Sequence, residues 1–347
     1  MKFNLKFLNL SCRNIGIDLG TSNILVTVDG KGVVFNEPSV VAIDKSTDNI
    51  IAIGNEAKEM IGRTPDKIMA VKPIKEGVVA DLTATRLLLK KILTKVCKKH
   101  NINIFRAVIG VPSGITEVEE RALEEATLYA GAKEVFLIEE PIAAAIGANI
   151  QISEPNGNII VDIGGGTTEV AVISLGGIVA SNSIRIGGDN IDDAIVSYIR
   201  RSHNLAIGNV FAEKIKVDLG CALPLVTVQE KEITGRELST GLPKTIIINS
   251  NEIYKAINEP IMNIIETVKI ALEKTPPELS SDIMEKGIII SGGGALIRNL
   301  DKLIEEKTGM PVKIAENPLN CVVMGAGKTL EDLNKLKAIL ATSKANR

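Results

Sequence analysis

The sequence lacks the cysteine spacing that a zinc site or a redox pair requires. Its four cysteines are isolated from one another along the chain, at Cys12, Cys97, Cys221 and Cys321. A metal site or a catalytic disulfide would need Cys-x-x-Cys or mixed Cys/His spacing. We therefore expect reduced, mostly buried cysteines in a cytoplasmic protein. Aromatic residues are scarce as well, at 3% with no tryptophan, a bias that decides nothing about function.

Neither charge nor hydrophobicity is in excess. The 40 basic and 42 acidic side chains leave a formal charge of −2, so nothing in the charge balance indicates nucleic-acid binding. No apolar run approaches the ~18 residues of a membrane-spanning helix, and the N-terminus lacks a signal-peptide core with a cleavage site. The 347 residues, 45% of them hydrophobic, suffice for two domains or one large bilobed unit.

One pattern occurs twice: a strand that ends in Asp-x-Gly, a short turn and a second strand. The first copy is NIGIDLGTSNILVTV at residues 14–28, and the second is NIIVDIGGGTTEVAVI at residues 158–173. Apolar, β-branched runs around a Gly-rich turn are typical of hairpins. Asp18 and Asp162 are 144 positions apart. We interpret the copies as an internal duplication in which each half contributes one turn to a shared cleft.

Between and after these hairpins, helices and strands alternate, which is typical of layered α/β domains. The clearest helix start is Thr116 with Glu119 three positions on, the arrangement of a capping box. The clearest helix end is Thr275-Pro276-Pro277, because proline removes a donor and disfavours helix in the preceding residue. The predicted helices are residues 83–99, 116–130, 141–149, 190–202, 210–219, 251–273 and 295–308. The predicted strands outside the hairpins are residues 107–111, 135–138, 225–229, 231–234, 245–248 and 287–291.

The two Asp-x-Gly turns have the residues of a phosphate and metal site. Each aspartate is followed by residues whose backbone amides can approach an anion: Gly20, Thr21, Ser22 and Asn23 after Asp18, and Gly164, Gly165, Gly166 and Thr167 after Asp162. Glycine permits this close approach. Mg²⁺ would lie between the two aspartates, held largely through water. Either turn alone is equally well explained as an ordinary tight hairpin, and it is the pair that favours phosphate binding.

A third glycine cluster lies where a strand passes into a predicted helix. It consists of Ser291, Gly292, Gly293, Gly294, Ala295 and Leu296. Bare backbone there can pack against a planar base or present amides to a phosphate. The sequence has no G-x-x-x-x-G-K-[ST] pattern, which excludes a P-loop, and no G-x-G-x-x-G with a partner acid, which disfavours a Rossmann site. The spacing of all three clusters is the discriminating feature.

These clusters resemble the two phosphate motifs and the adenosine motif of the ATPase core shared by actin, the heat-shock chaperones and hexokinase. They are DLGTSN at 18–23, DIGGGTTE at 162–169 and SGGGALI at 291–297. In finer detail the chain is similar to the MreB family of bacterial actin-like proteins. The segments that carry this similarity are GIDLGTSNILV, NEPSVVAID, GVPSGITEVEERA, IEEPIAAAIGA, VDIGGGTTEVAVIS, GLPKTIIIN, TPPELSSDI and AENPLNCVVMGAG, within about residues 14–330.

The resemblance implies an α/β, actin-like bilobed fold. Two duplicated RNase H-like domains, each with a smaller subdomain, would hold ATP or ADP with Mg²⁺ in a central cleft. The implied subdomains are IA (residues 1–36, 77–150 and 318–347), IB (37–76), IIA (151–186 and 251–317) and IIB (187–250).

The resemblance also assigns a hydrolysis residue. Glu140 would orient the water that attacks the γ-phosphate, with Thr167 as a helper, because phosphoryl transfer depends on positioning and charge stabilisation. From the residues alone, a solvated pair at a helix N-terminus is the better explanation of Glu139 and Glu140. Actin has a lysine shortly after its first phosphate turn, where this chain continues with Asn23. Backbone amides and Mg²⁺ would therefore carry more of the charge neutralisation.

Other implied contacts lie around the nucleoside. Glu213, Lys214 and Lys216 would contact the ribose and base, while the alternative for Glu213 and Lys216 is an ordinary ion pair on one helical face. Leu296 and Ile297 would line the adenine pocket, or belong simply to the core.

Two apolar segments are candidates for membrane contact. Residues 1–10 place Phe3, Phe7 and Leu10 at helical spacing beside two lysines, as in a short amphipathic anchor that needs many copies for avidity. Their alternative is a disordered terminus or a packed strand. Ile104 and Phe105 match the place where some family members carry a membrane-inserting loop, and plain packing explains them equally well.

The resemblance implies a cytoskeletal actin-like ATPase that polymerises with ATP and turns over slowly. Its filaments would lie on the inner face of the cytoplasmic membrane and organise cell shape and peptidoglycan synthesis. The implied partners are further copies of the chain, in paired, antiparallel protofilaments, and transmembrane proteins of a rod-shape or elongation complex; no nucleic acid is expected. The alternatives are a sugar or carboxylate kinase of the same fold and a nearly inactive scaffold.

Overall fold

The computed structural model describes residues 12–330. Its strands are β1 (Arg13–Leu19), β2 (Asn23–Val28), β3 (Gly32–Pro38), β4 (Val41–Asp44), β5 (Asn49–Ile53), β6 (Ile68–Val71), β7 (Ile74–Lys75), β8 (Val78–Val79), β9 (Phe105–Val111), β10 (Glu134–Glu139), β11 (Asn158–Ile163), β12 (Thr168–Ser174), β13 (Gly177–Ile184), β14 (Leu205–Ala206), β15 (Glu230–Glu237), β16 (Pro243–Asn249), β17 (Ile288–Ser291) and β18 (Val312–Ile314). Its α-helices are α1 (Gly54–Met60), α2 (Leu82–His100), α3 (Glu117–Tyr129), α4 (Glu140–Gly147), α5 (Gly188–His203), α6 (Asn209–Leu219), α7 (Ser250–Glu273), α8 (Pro277–Lys286), α9 (Leu300–Thr308) and α10 (Cys321–Thr329).

Two five-stranded sheets of the same topology form the framework. Their strand orders are β10-β9-β1-β2-β3 and β13-β12-β11-β17-β18. In each, the first strand of the Asp-x-Gly hairpin pairs antiparallel with the second and parallel with a later strand. The expected duplication is thereby confirmed, and the equivalent ends of β1 and β11 carry the two aspartates.

Three smaller sheets are inserted between the elements of this framework. The sheet β5-β4-β6, with α1, follows β3, and the sheet β14-β15-β16 precedes α7, while β7 and β8 form a short hairpin of their own. The two three-stranded sheets lie within residues 37–76 and 187–250, the ranges given to the smaller subdomains, while the β7–β8 hairpin crosses position 76. The subdomain boundaries themselves stay a prediction.

Helices α4 and α10 lie between the two large sheets. They share one hydrophobic cluster with residues of β9 and β10 on one side and of β11 and β12 on the other. Glycines allow the two helices to approach closely: a Cβ atom at Gly147 would lie 1.8 Å from the carbonyl oxygen of Cys321, and one at Gly325 would lie 1.8 Å from that of Ala143. This layer sets the position of one sheet relative to the other.

Local signals predicted most elements within a few residues of their ends. The capping box of α3 is confirmed, because the Thr116 hydroxyl accepts the Glu119 N–H while the Glu119 carboxylate accepts the Thr116 N–H. Helix α7 ends at Glu273, just before the two prolines that were expected to stop it.

Two predicted elements are wrong. Residues 225–229 form a loop rather than a strand, and Val226 and Val228 are exposed to solvent. The helix predicted at residues 295–308 begins only at Leu300. A 3₁₀ turn precedes it, and Asn299 has a φ of 61°, a left-handed conformation that an α-helix cannot contain.

The residues predicted to contact the membrane have three different outcomes. Phe3, Phe7 and Leu10 lie outside the described residues. Phe105 opens β9 and is 3% exposed within the core of the first sheet, so its assignment to a membrane-inserting loop is corrected to core packing. Ile104 is partly exposed and stays a prediction. Between residues 12 and 330, no helix is long and apolar enough to cross a bilayer.

Replacing Gly325 by alanine should destabilise the fold through the α4–α10 contact. The new Cβ would overlap the backbone of Ala143, and overpacking of this kind costs ~1–3 kcal/mol or more. This exceeds the ~1 kcal/mol that alanine gains over glycine in a helix. Denaturant unfolding should show a lower midpoint.

Gly114→Ala is the matched control, because a Cβ there would meet nothing within 4 Å. Equal unfolding midpoints for the two variants would contradict the close packing of α4 on α10.

Candidate functional site: a cleft between the two Asp-x-Gly turns

A cleft of about 380 Å³ opens where β1 and β11 end, a volume typical of small-molecule sites. The predicted residues that line it are Asp18, Gly20, Thr21, Ser22, Asn23, Glu140, Asp162, Gly164, Gly165, Thr167, Glu213, Lys216, Gly292, Gly293, Gly294 and Leu296. Three other candidates lie outside the lining. Gly166 packs against Thr21 and Glu76, Lys214 is exposed on α6, and Ala295 is buried in the core.

The two turns touch each other. A Cβ atom at Gly165 would lie 2.1 Å from the Ser22 hydroxyl oxygen, and one at Gly166 would lie 2.6 Å from the Thr21 hydroxyl oxygen. Residues with a side chain could not approach this closely. The glycines of the second turn are therefore required by packing, and this packing brings both sets of backbone amides to one place.

Neighbouring segments hold the first turn in position. The Ser39 hydroxyl donates to the carbonyl oxygen of Gly20 at 2.5 Å, and the Gly77 N–H donates to the Thr21 hydroxyl at 3.0 Å. Gly77 has a φ of 76°, and a Cβ there would lie 2.7 Å from the Thr167 side chain. The turn between β7 and β8 thus contacts both Asp-x-Gly turns.

Asp18 and Asp162 face the same cleft from the two sides. Burial and the charge of Asp162 raise the pKa of Asp18 to about 7. Burial raises the pKa of Asp162 to about 6, against the lowering effect of the hydrogen bond from Ser291. Two carboxylates that repel each other in a cleft are a favourable place for a cation.

The described residues offer no complete metal cage. Among residues 12–330, no group of three or more His, Cys, Asp or Glu side chains could hold a metal ion. The aspartate pair therefore fits a cation that takes most of its ligands from water or from a bound phosphate. Mg²⁺ binds in this way.

Glu140 is the first residue of α4 and lines the cleft. Burial raises its pKa well above the ordinary value, and the charges of Glu169, Asp18 and Asp162 raise it further. The alternative of a solvated pair at a helix end is therefore wrong for Glu140. A carboxylate enclosed beside the phosphate turns can hold a water molecule there.

Glu169 is a site residue that the sequence did not single out. It is 2% exposed, and its carboxylate accepts the backbone N–H and the hydroxyl of Ser113. Burial raises its pKa to about 8. Its position in DIGGGTTE places it opposite Asp162 in the register of β11 and β12, which is the signal that could have identified it.

Polar side chains also join the two sides of the cleft at its outer edge. Within the described residues, Lys72 lies 2.7 Å from Asp189, and Arg185 lies 3.8 Å from Glu76. The Asp189 carboxylate also accepts the Ser22 hydroxyl at 3.4 Å. Each of these contacts joins a residue before position 80 to one after position 180.

Glu213 and Lys216 do not pair with each other, so the ion-pair alternative is wrong for them. The Glu213 carboxylate lies 2.5 Å from the Lys58 ammonium across the cleft. Lys216 lies 2.9 Å from Asp192 and donates to the carbonyl oxygen of Gly188 at 2.8 Å. Both residues line the cleft, and each interacts with other partners rather than with the other.

The third glycine cluster forms a bare wall flanked by exposed apolar side chains. Gly292 has a φ of 79°, and a Cβ there would lie 2.3 Å from the carbonyl oxygen of Ile163. Leu296 is 55% exposed although it lines the cleft, so it is not a core residue. Exposed apolar groups beside flat backbone suit a planar ring. Ile297, which was also expected there, lines the cleft and is 8% exposed. The lining residues that sequence reasoning missed are Leu19, Leu25, Asn36, Gly77, Gly188, Val217, Gly220, Arg298, Pro318, Leu319 and Val322.

The duplicated sheets, the paired Asp-x-Gly turns and the glycine wall together define a protein of the actin-like class. The chain belongs to the MreB/Mbl family, since the family model described as MreB/Mbl protein matches residues 12–338. It is 51% identical to the cell shape-determining protein MreB of Escherichia coli over 335 residues, 94% of this chain and 95% of that protein. It is 48% identical to the cell shape-determining protein Mbl of Bacillus subtilis over 324 residues, 93% and 97% of the two chains.

A solved structure agrees with these relatives. MreB5 of Spiroplasma citri bound to ADP has a TM-score of 0.88 and 42% identity, covering 95% of this chain and 99% of that one. The matches support the cytoskeletal interpretation over the small-molecule kinase.

Replacing Lys72 by methionine should loosen the closed cleft. The change removes the ion pair with Asp189 while keeping the length of the side chain. A partly exposed pair contributes ~0.2–1 kcal/mol, so the amides of Gly188 and Asp189, which donate to the second turn, should exchange up to about fivefold faster. Hydrogen exchange read by mass spectrometry measures this.

Lys95→Met is the matched control, since its ion pair with Glu37 joins residues on one side of the cleft. Exchange that is equally fast in both variants would argue against a role for Lys72 in closure.

Proposed function

We propose that this chain is a cell-shape-determining, actin-like ATPase that binds ATP with Mg²⁺ in the cleft and assembles into filaments. The observation that carries the proposal is the contact of the two Asp-x-Gly turns beside a wall of bare glycine backbone. This arrangement combines amides for phosphates, carboxylates for a cation and a flat surface for a base. The binding of ADP by MreB5 of Spiroplasma citri, to which this chain is 42% identical, supports it.

The nucleotide would lie along the cleft with its phosphates at the turns. The amides of residues 20–23 and 164–167 would bind the phosphate oxygens. The base would stack on residues 292–294 beside Leu296 and Val217, both exposed apolar residues of the lining. Glu213 and Lys216 would lie at the ribose.

Mg²⁺ would be held by Asp18 and Asp162, mostly through water. The lining contains the carboxylates of these two residues, Glu140 and Glu213, against the cations Lys216 and Arg298. Because a triphosphate adds further negative charge, binding requires a compensating cation, which would supply charge neutralisation at the phosphates.

Glu140 would orient the attacking water, with the Thr167 hydroxyl as a helper. The charges on Asp18 and Asp162 contribute to the raised pKa of Glu140, so neutralising them lowers that pKa and favours the ionised form. Hydrolysis would be slow because the first turn lacks a lysine and few cations face the phosphates.

Self-assembly and membrane association complete the proposal. Head-to-tail contacts would generate open filaments, paired in antiparallel fashion on the inner face of the cytoplasmic membrane, beside transmembrane proteins of the elongation complex. Membership in a family whose curated members are named cell shape-determining proteins supports this. Phe3, Phe7, Leu10 and Ile104 remain the candidates for lipid contact.

Glu140→Ala should separate assembly from hydrolysis. The variant keeps both turns and should still pellet with ATP and Mg²⁺, while phosphate release falls about 100-fold or more, as expected for loss of a residue that positions water. Sedimentation and phosphate release measured on the same samples test this.

Two further samples distinguish the alternatives. With anionic liposomes, deletion of residues 1–10 should abolish co-sedimentation with lipid without abolishing assembly. If the wild-type chain never assembles and consumes ATP only when a hexose or another small acceptor is added, the filament proposal fails and a kinase takes its place.

Binding of Mg²⁺ and ATP should weaken as the pH falls. The pKa values of about 7 for Asp18 and about 6 for Asp162 mean that both groups take up protons through this range, and the protonated forms bind a cation poorly. Affinity should drop about tenfold or more between about pH 8 and about pH 5.5, with proton release on binding. Calorimetry in buffers of different ionisation enthalpy measures both.

The stability of the protein without ligand should change in the opposite direction. Since folding raises the pKa of Asp18 from 3.8 to about 7, the free protein loses stability as the pH rises through that window. Asp18→Asn should reduce both the proton release and this loss. Binding that releases no protons would contradict the assignment of the pair.

A further inference from the structure

Ser291 is buried behind the cleft and was not among the residues predicted to line it. It is the last residue of β17, is 0% exposed and lies beside Asp162 in the parallel register of β11 and β17. Its hydroxyl donates to the Oδ1 atom of Asp162 at 2.6 Å. The hydroxyl of a residue in the third glycine cluster thus reaches the carboxylate of the second phosphate turn.

This hydrogen bond makes the two aspartates unequal. Within residues 12–330, the Ser291 hydroxyl is the hydrogen-bond donor that the structure provides for the Asp162 carboxylate. The same part of the chain provides none for the Asp18 carboxylate. Asp162 is 6% exposed, so its carboxylate is held on one side by the serine and reaches the cleft on the other.

The backbone around Ser291 allows little adjustment. The following residue, Gly292, has a φ of 79°, and a Cβ there would lie 2.3 Å from the carbonyl oxygen of Ile163. Ile163 directly follows Asp162 in β11. The donor and the acceptor therefore belong to two strands locked together at their ends, which fixes the direction of the hydrogen bond.

We infer that Ser291 is a positioning residue that orients Asp162 toward the metal ion bound with the nucleotide, and so sets how much Mg²⁺ nucleotide binding requires. The inference rests on the proposed function, because it concerns a residue behind the same site. Carboxylates that bind metals are commonly oriented by a hydrogen bond of this kind, and loss of such a partner lowers metal affinity ~10–100-fold. The serine also links the wall of the base pocket to the metal carboxylate.

The test is a Mg²⁺ titration of the full chain with a fluorescent, non-hydrolysable ATP analogue, followed by anisotropy. Ser291→Ala should raise the half-saturating Mg²⁺ concentration about 10–100-fold. At saturating Mg²⁺, its affinity for the analogue should stay close to that of the wild type. Ser291→Thr, which keeps the hydroxyl, should restore the wild-type requirement.

Ser250→Ala is the matched control. Ser250 is also 0% exposed, and its hydroxyl accepts the Gln229 N–H, but it is absent from the lining of the cleft. Thermal melting of each variant, compared with the wild type, checks that the variant is folded. A shift of the Mg²⁺ requirement in Ser291→Ala but not in Ser250→Ala supports the inference.

The opposite results overturn it. If Ser291→Ala needs no more Mg²⁺ than the wild type, or if both alanine variants shift alike, Ser291 does not position Asp162. These outcomes differ from failure of the proposed function, in which the wild-type chain itself would not bind the analogue with Mg²⁺.

Discussion

The contact between the two Asp-x-Gly turns is the constraint on which the rest of the structure depends. Gly165 lies against Ser22 because the hairpins of two separate sheets meet at one point. The layer of α4 and α10 fixes the position of those sheets relative to each other. The same contact brings Asp18 and Asp162 close enough for their charges to repel. The fold therefore concentrates negative charge where it also exposes backbone amides, and a cation bound together with a phosphate would balance both.

Rigidity and adjustability are separated in space around this contact. Near the turns, glycine packing and buried hydroxyl groups fix the backbone, and overpacking there would cost ~1–3 kcal/mol or more. At the outer edge, partly exposed ion pairs such as Lys72 with Asp189 join the two sides, and each contributes about 1 kcal/mol at most. These ion pairs favour the closed cleft only weakly, so a ligand could change how far it closes. The geometry at the two turns, in contrast, is fixed.

The features that could be predicted from the sequence are those that a local residue pattern determines. The hairpins around Asp18 and Asp162 follow from β-branched runs and Gly-rich turns, and the capping box of Thr116 follows from two residues three apart. Contacts between distant segments have no such signal. For this reason the ion pair of Lys72 with Asp189 and the hydrogen bond of Ser291 were not predicted. Phe105 shows that a local pattern can also be ambiguous. An apolar residue at the start of a strand has the same pattern whether it faces lipid or a protein core. Residues 225–229 are apolar enough for a strand, yet within the described residues they pair with no strand.

Glu213 shows how the outer and inner parts of the cleft are connected. Its Oε2 atom lies 2.5 Å from the Lys58 ammonium, and the residue lines the cleft where a ribose would lie. A carboxylate has two oxygens with about four acceptor positions, so pairing with Lys58 leaves capacity for a ribose hydroxyl. In the proposed function the two interactions would support each other: closure through Lys58 would fix the carboxylate for the ribose, and a ribose that held the carboxylate would favour closure. By linkage, a cleft that closes on nucleotide would also bind it more tightly when closure is stabilised from outside. A neighbouring subunit that held the outer edges together would retain nucleotide by this route without touching it.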